Sequence, residues 1–339
     1  MPHICEKIMI CEDIYSSLRA ITARYEQDQI VAVVDTNISI QSNFPTLRLT
    51  MDEAHKDLSS VERVWDFLFE QGLTRRGLVI AVGGGGLTDV VGFAAATYKR
   101  GVDYINVPTT LLAMIDASTG GKTGFNYRGL KNSIGAFAPP VETLICPQWL
   151  KTLPAKEFLS GFGEMLKTGL LDKDGLWNLL LQYDLGALDV EKLTPLIAQC
   201  VAIKERIVAS DPHEEGPRKA LNLGHTFGHA LEEVALGNIP HGYAVLYGLI
   251  AELYLSVALL GCPREPLQQL TQVMLHYYGK PNCKCSDRER LIALMQQDKK
   301  NERTAEINCT LIRSIGSSAI NQIITVDEAN EALDYLFSL

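Results

Sequence analysis

Basic residues are in deficit. The chain of 339 residues carries 31 Lys and Arg against 40 Asp and Glu, a formal charge of −9. Clustered cations are what neutralise a phosphate backbone, so this is a poor general nucleic-acid binder and no nucleic acid is expected as a partner. Any anionic ligand has to be met by a local basic pocket. The cysteines lack a framework. The eight stand at positions 5, 11, 146, 200, 262, 283, 285 and 309, and Cys283 and Cys285 are too close for a C-x-x-C. Scattered thiols point to a reduced, cytoplasmic protein. Residues 1–7 lack a charged stretch followed by an apolar one, so no export signal is expected. No apolar run is read as approaching the ~20 residues that span a bilayer, and no membrane partner is expected. Repeats and low-complexity linkers are missing too.

Three ready-made motifs are also absent. In the segment 116–123, Asp116 stands where a Walker A loop needs glycine, and Gly124, Asn126 and Gly129 follow where a helix should open. That excludes a P-loop NTPase. The glycine run at 83–86 is not G-x-G-x-x-G, because position 88 is Thr. His225 and His229 are four apart, but Thr226 stands where a zincin needs Glu.

What is there begins with short apolar runs of strand length at 30–34, 78–82, 104–107 and 143–146. Runs of this kind suit a parallel sheet buried on both faces. Asp35 follows the first run at its C-terminal end, where ligands bind in open α/β sheets. It is a candidate for a ribose hydroxyl, and equally for a plain turn. Glu53 and Lys56 read as the solvated start of a helical pattern through Val61, Val64, Trp65, Leu68 and Phe69. Four glycines follow the second run, with a helix expected from about Thr88–Asp89. Strand, glycine loop and helix together can bring backbone N–H groups to a phosphate. Lys122, Asn126, Arg128, Lys131 and Asn132 form a dense polar run suited to a small phosphorylated, hydroxylated substrate.

The second half changes character. Helical periodicity covers 155–171, with Glu164 and Lys167 one turn apart on one face, and then 190–210, with Lys204. His225 and His229 share a helix face, and His241 opens a further helix. Catalytic zinc is often held by three protein ligands from His and carboxylate. Glu164 with two of His225, His229 and His241 would supply them. Two strand-like runs at 307–312 and 319–324 and a last helix close the chain. The boundary is expected near 154, giving domains 1–154 and 155–339.

Taken together, these residues resemble 3-dehydroquinate synthases. The similarity rests on Gly83–Gly85 with Asp89, the run 94–101 ending in Arg100 and Gly101, Pro108-Thr109-Thr110, Gly120-Gly121-Lys122-Thr123-Gly124, Lys131-Asn132-Ser133, Gly163-Glu164, the run 222–230 and His241-Gly242. They occur in the family's order and spacing. The resemblance implies an N-terminal Rossmann-like α/β NAD-binding domain, a C-terminal all-α metal-binding domain and a homodimer. It implies Glu164, His225 and His241 as ligands of Zn2+ or Co2+. Around NAD it places Asp35, Asn37, Glu53, Lys56, Gly84, Gly85, Gly86, Asp89, Thr109, Thr110 and Thr152, with Lys122 and Lys131. Around a sugar-acid phosphate it places Asp116, Lys122, Asn132, Arg218, Asn222, Arg100, Lys131, Lys167, Lys204, His229 and Lys299. The implied reaction oxidises the substrate transiently with NAD, eliminates phosphate, returns the hydride, opens the ring and closes a carbocycle. Tyr243 and Thr88 depart from common family residues, Glu and Gly. Neither matches a ligand, so changes are expected only around the ligands. The alternatives are another sugar-phosphate cyclase and a glycerol-type metal-dependent alcohol dehydrogenase.

Overall fold

The computed structural model describes residues 7–236, 238–282, 285–298 and 305–339. The chain divides into two compact units, Met1–Leu153 and Pro154–Leu339.

The first unit contains β1 (Lys7–Ile10), α1 (Ile14–Thr22), β2 (Ile30–Asp35), β3 (Thr46–Leu49), α2 (Leu58–Glu70), β4 (Leu78–Gly83), α3 (Gly85–Thr97), β5 (Asp103–Pro108), β6 (Lys122–Tyr127), β7 (Leu130–Phe137) and β8 (Glu142–Ile145). Six strands form a parallel sheet in the order β1-β8-β5-β4-β2-β3. Alternation within the apolar runs serves two cores. Val31, Val33, Val79 and Ala81 pack with α2 and α3, while Ile30, Ala32, Val34, Ile80 and Val82 pack with Ile14 and Ile21 of α1. That double coverage explains why β2 and β4 are apolar at nearly every position. The chain leaves β2 toward β3 and returns to β4 on the other side. The ends of β2 and β4 are therefore the point where strand order reverses, which is where open α/β sheets bind ligands. Strands β6 and β7 form a separate antiparallel hairpin.

Three sequence expectations change here. Helix α3 begins at Gly85, not near Thr88. Its first turn is built from glycines because the space is closed: a Cβ on Gly85 would lie 2.8 Å from the Ala117 Cβ. Tight packing outweighs glycine's weak helix propensity. Strands β1 and β3 were not expected. Both are four-residue edge strands, and β3 is mostly half-exposed, so neither has the long buried run that marks β2.

The second unit contains α4 (Ala155–Leu171), α5 (Leu176–Gln182), α6 (Val190–Ser210), α7 (His225–Val234), α8 (His241–Leu260), α9 (Glu265–Val273), α10 (Arg288–Gln296), β9 (Ile307–Ser314), β10 (Ser317–Ile324) and α11 (Val326–Ser338). It is mainly helical, with β9 and β10 paired as an antiparallel hairpin. The third correction is α8. This 20-residue helix is long and apolar enough to cross a membrane, contrary to the expectation that no run comes close. Most of it is buried inside the unit, and a helix apolar on every side is the mark of such a core helix.

Candidate active site

The candidate residues fall into two sets, one in each unit. In the second unit, α4, α7 and α8 converge through glycine. A Cβ on Gly242 would overlap the Ser160 carbonyl, and one on Gly163 would overlap the Gly242 carbonyl. A Cβ on Gly248 would likewise overlap the Gly224 carbonyl. Backbones this close carry their neighbouring side chains to one point.

Glu164 lies in the middle of α4, fully buried. His225 is the first residue of α7, and His241 the first of α8. One ligand atom from each lies within 4.8 Å of the others. The Glu164 Oε1 is 3.1 Å from His241 Nε2 and 3.5 Å from His225 Nε2. The other carboxylate oxygen is 2.6 Å from the Lys167 Nζ. Each imidazole turns its Nδ1 away. His225 Nδ1–H donates to the Leu223 carbonyl at 3.1 Å, and His241 Nδ1–H donates to Glu232 Oε2 at 3.3 Å. A second acceptor of this kind fixes the tautomer and leaves Nε2 for a metal.

Glu164 and His225 already have the charge state that donor set needs. Burial pushes Glu164 up, but Lys167, His225 and His241 together hold it well below the usual carboxylate range. Burial, helped by Lys167, keeps His225 well below its ordinary value and so neutral. Burial also pushes His241 down, but hydrogen bonds to Glu164 and Glu232 outweigh it and raise the group to about 10, so His241 is the ligand that gives up a proton when a cation binds. An anionic carboxylate and two imidazoles converging on one point fit a divalent cation with an open position. His229 stands beside them, its ring centroid 5.1 Å from that of His225, with Nδ1 3.8 Å from Asp298 Oδ2.

Arg218 is buried. Its backbone N–H donates to Asp211 Oδ2, and its guanidinium to the Pro212 carbonyl at 2.6 Å. Asn222 Nδ2 donates to Glu214 Oε1 at 2.8 Å. Lys204 is buried on α6. Lys299 lies outside the described residues. Tyr243 packs edge-on against Tyr278, with ring centroids 4.7 Å apart.

In the first unit, the glycine cradle and its neighbours are assembled. Val34 pairs with Val82, which sets Asp35 beside Gly83. The Asp35 Oδ1 accepts the Asn37 N–H at 2.9 Å, closing a turn. Gly84 precedes α3 with no side-chain cap, so the first amides of α3 have no intrahelical partner. Gly86 faces Met51 and Lys56, and Gly84 faces Thr110. The Thr109 N–H donates to the Gly83 carbonyl at 2.9 Å. Lys56 is buried and bonds Asp89 at 2.5 Å and the Asn132 side chain. Asn126 binds Glu53 Oε1 and accepts the Asn132 N–H. Gly84, Gly85, Gly86, Lys56, Asp89, Glu53 and Asn132 therefore form one neighbourhood, and open amides in a cradle closed to a Cβ suit a dinucleotide phosphate. Thr88, the departure inside this loop, is buried and bonds back to the Gly85 carbonyl.

Lys122 opens β6 and Lys131 lies on β7, both exposed. Asp116 sits half-buried in a single wide helical turn, Ala113–Ala117. Thr152 is exposed and donates to the Trp149 carbonyl. Arg100 is exposed beyond the far end of α3, about 20 Å along that helix from the glycines. Sequence reasoning missed Glu232 and Glu252. Glu252 carries a signal, being the one charged residue in an apolar helix.

Comparison with known proteins follows the same residues. Positions 46–160 match the family model described as 3-dehydroquinate synthase N-terminal, and 161–301 the one described as 3-dehydroquinate synthase C-terminal. The 3-dehydroquinate synthase of Parabacteroides distasonis is 40% identical over an alignment of 344 positions that covers 97% of each chain. Among solved structures, 2-epi-5-epi-valiolone synthase from Streptomyces hygroscopicus subsp. jinggangensis, with NAD+ and Zn2+ bound, aligns with a TM-score of 0.87 at 27% identity, covering 100% of this chain and 98% of that one. A 2-deoxy-scyllo-inosose synthase shares the fold, with a TM-score of 0.84 at 23% identity over 96% of this chain and 95% of that one. With two adjoining family models across most of its length and a relative of this identity from end to end, the chain belongs to the 3-dehydroquinate synthase family.

Proposed function

We infer that this protein converts 3-deoxy-D-arabino-heptulosonate 7-phosphate into 3-dehydroquinate and phosphate, a phosphorus–oxygen lyase reaction of aromatic amino-acid biosynthesis. The observation that carries the reading is the convergence of Glu164, His225 and His241 in a member of this family. They would hold one divalent ion, Zn2+ or Co2+. His and carboxylate donors suit several such ions. The glycines 84–86, with Asp35, Asn37, Glu53, Lys56, Asp89, Thr109, Thr110 and Thr152, would hold NAD. When bound, NAD supplies a two-electron acceptor that is regenerated each turn, and the metal acidifies and orients hydroxyl groups.

The chain's own residues supply the rest. Arg218 presents a planar guanidinium that can take a carboxylate or phosphate in two parallel hydrogen bonds. Asn222 and His229 lie on the same stretch and supply further hydrogen-bonding groups. Lys122, Asn132, Lys131, Lys204 and Lys299 are assigned to the anionic ends of the substrate, and Asp116 to its hydroxyls; Arg100, beyond the far end of α3, is left out of that set. Lys167 has a further part, because it keeps the Glu164 carboxylate ionised inside the protein. The reading includes a homodimer working in the cytoplasm, which light scattering on the purified protein and cell fractionation test.

The direct test is phosphate release from the heptulosonate phosphate, with NAD and Zn2+ or Co2+, while NADH is followed. Phosphate release without net NADH is the expected result. NADH accumulation on a polyol would move the protein to the alcohol dehydrogenases. Phosphate release only from sedoheptulose 7-phosphate or glucose 6-phosphate would move it to a sister cyclase.

A further inference from the structure

Helix α8 carries one charged residue among its apolar side chains. Glu252 is the single Asp, Glu, Lys or Arg within His241–Leu260, and it is fully buried. A carboxylate in such a place costs several kcal/mol unless its oxygens are satisfied. Both are directed at the start of α7. Oε2 accepts the Gly224 N–H at 2.5 Å, and Oε1 accepts the Thr226 N–H at 3.2 Å. These amides flank His225.

Gly224 has a left-handed backbone, φ +81°, and no side chain with which to cap the helix it precedes. Glu252 therefore supplies from α8 what an N-cap residue supplies from within its own chain segment. Its charge also complements the positive end of α7. The contact is held on both sides. Gly248, one turn earlier on α8, lies against the Gly224 carbonyl, and the imidazole of His225 is tied to the Leu223 carbonyl. The backbone of residues 223–226 is thus fixed around the one side chain that must point at Glu164 and His241.

We propose that Glu252 is a positioning residue for His225, setting the first turn of α7 so that Nε2 faces the metal position. The proposal rests on the metal-centre reading above. Glu252 itself touches neither metal nor substrate.

The test uses the full chain with Co2+ as probe. Glu252→Gln keeps the shape but replaces one acceptor with an amide group that faces an N–H. Co2+ affinity is measured by chelator competition, and the visible spectrum of the bound ion reports ligand geometry. Glu252→Gln is expected to bind Co2+ about 10- to 100-fold more weakly, with a changed spectrum and with KM for NAD unaltered. Glu252→Asp keeps the charge and is expected to recover part of the loss. It carries the same measurements if the Gln variant does not fold. Parent-like affinity and spectrum in the variant overturn the proposal. If the parent binds Co2+ no better than Glu164→Ala, the metal reading fails, and this proposal falls with it for that separate reason.

Discussion

Gly163 and Gly242 meet backbone to backbone, and each is the chain neighbour of a candidate ligand, Glu164 and His241. The 3.1 Å approach of Glu164 Oε1 to His241 Nε2 depends on that crossing. Gly242→Ala puts a methyl group into the Ser160 carbonyl, which no rotamer change relieves. Backbone overpacking of this kind is expected to cost about 3 kcal/mol. The check is urea unfolding of the metal-free protein, with Co2+ binding measured on the variant. Parent-like stability in Gly242→Ala would show that the two helices can part without loss.

Glu164→Ala separates the two sets of residues. It removes the only carboxylate of the triad and leaves two imidazoles beside the buried Lys167. Metal should be lost on dialysis and turnover abolished. The glycine cradle lies in residues 1–153, so NAD binding should persist. Metal content by atomic emission and NAD titration by calorimetry decide this. Full metal occupancy in the variant would remove Glu164 from the ligand set.

Legibility in the sequence followed burial. β2, β4 and β5 announce themselves because parallel strands covered on both faces are apolar almost throughout. α4 and α6 announce themselves by periodicity. β1 and β3 are short edge strands and give no such pattern. The start of α3 was hidden because propensity argues against glycine there, and only Ala117, 32 residues further on, explains it. The histidine spacing marked a metal-binding region, but left three histidines for two places. The choice depends on how α7 and α8 cross, which no local pattern encodes. The structure directs His225 and His241 at Glu164 and sets His229 beside them. The orienting carboxylates Glu232 and Glu252 are defined by the same crossing.

Gly85→Ala tests the cradle. The added Cβ would lie 2.8 Å from the Ala117 Cβ, a short branch that cannot swing aside. The first turn of α3 must then shift, and its open amides shift with it. Losing one or two amide bonds to a charged phosphate should weaken NAD about 10- to 100-fold. Co2+ affinity should stay at the parent value. Unchanged NAD affinity by calorimetry would take the glycine loop out of the cofactor site.

Cys11 gives a pH dependence with a defined sign. Its N–H donates to the Ile145 carbonyl at 2.9 Å, so Cys11 and Cys146 are neighbours just beyond the paired ends of β1 and β8. The neighbouring Cys146 thiol lowers the Cys11 thiol to about 7, against a smaller opposing effect of burial, while the Cys146 thiol, which donates to the Glu12 carbonyl, is pushed up. The folded value lies below the ordinary ~8.5. The Cys11 thiolate therefore contributes stability that is present above the ordinary value and is lost as pH falls through about 7. Alkylation of Cys11, followed by peptide mass spectrometry, should show a midpoint near pH 7. Cys146→Ala removes the neighbouring thiol and should move that midpoint up toward the ordinary thiol value. A midpoint unchanged by Cys146→Ala would mean that the neighbouring thiol does not set the acidity of Cys11.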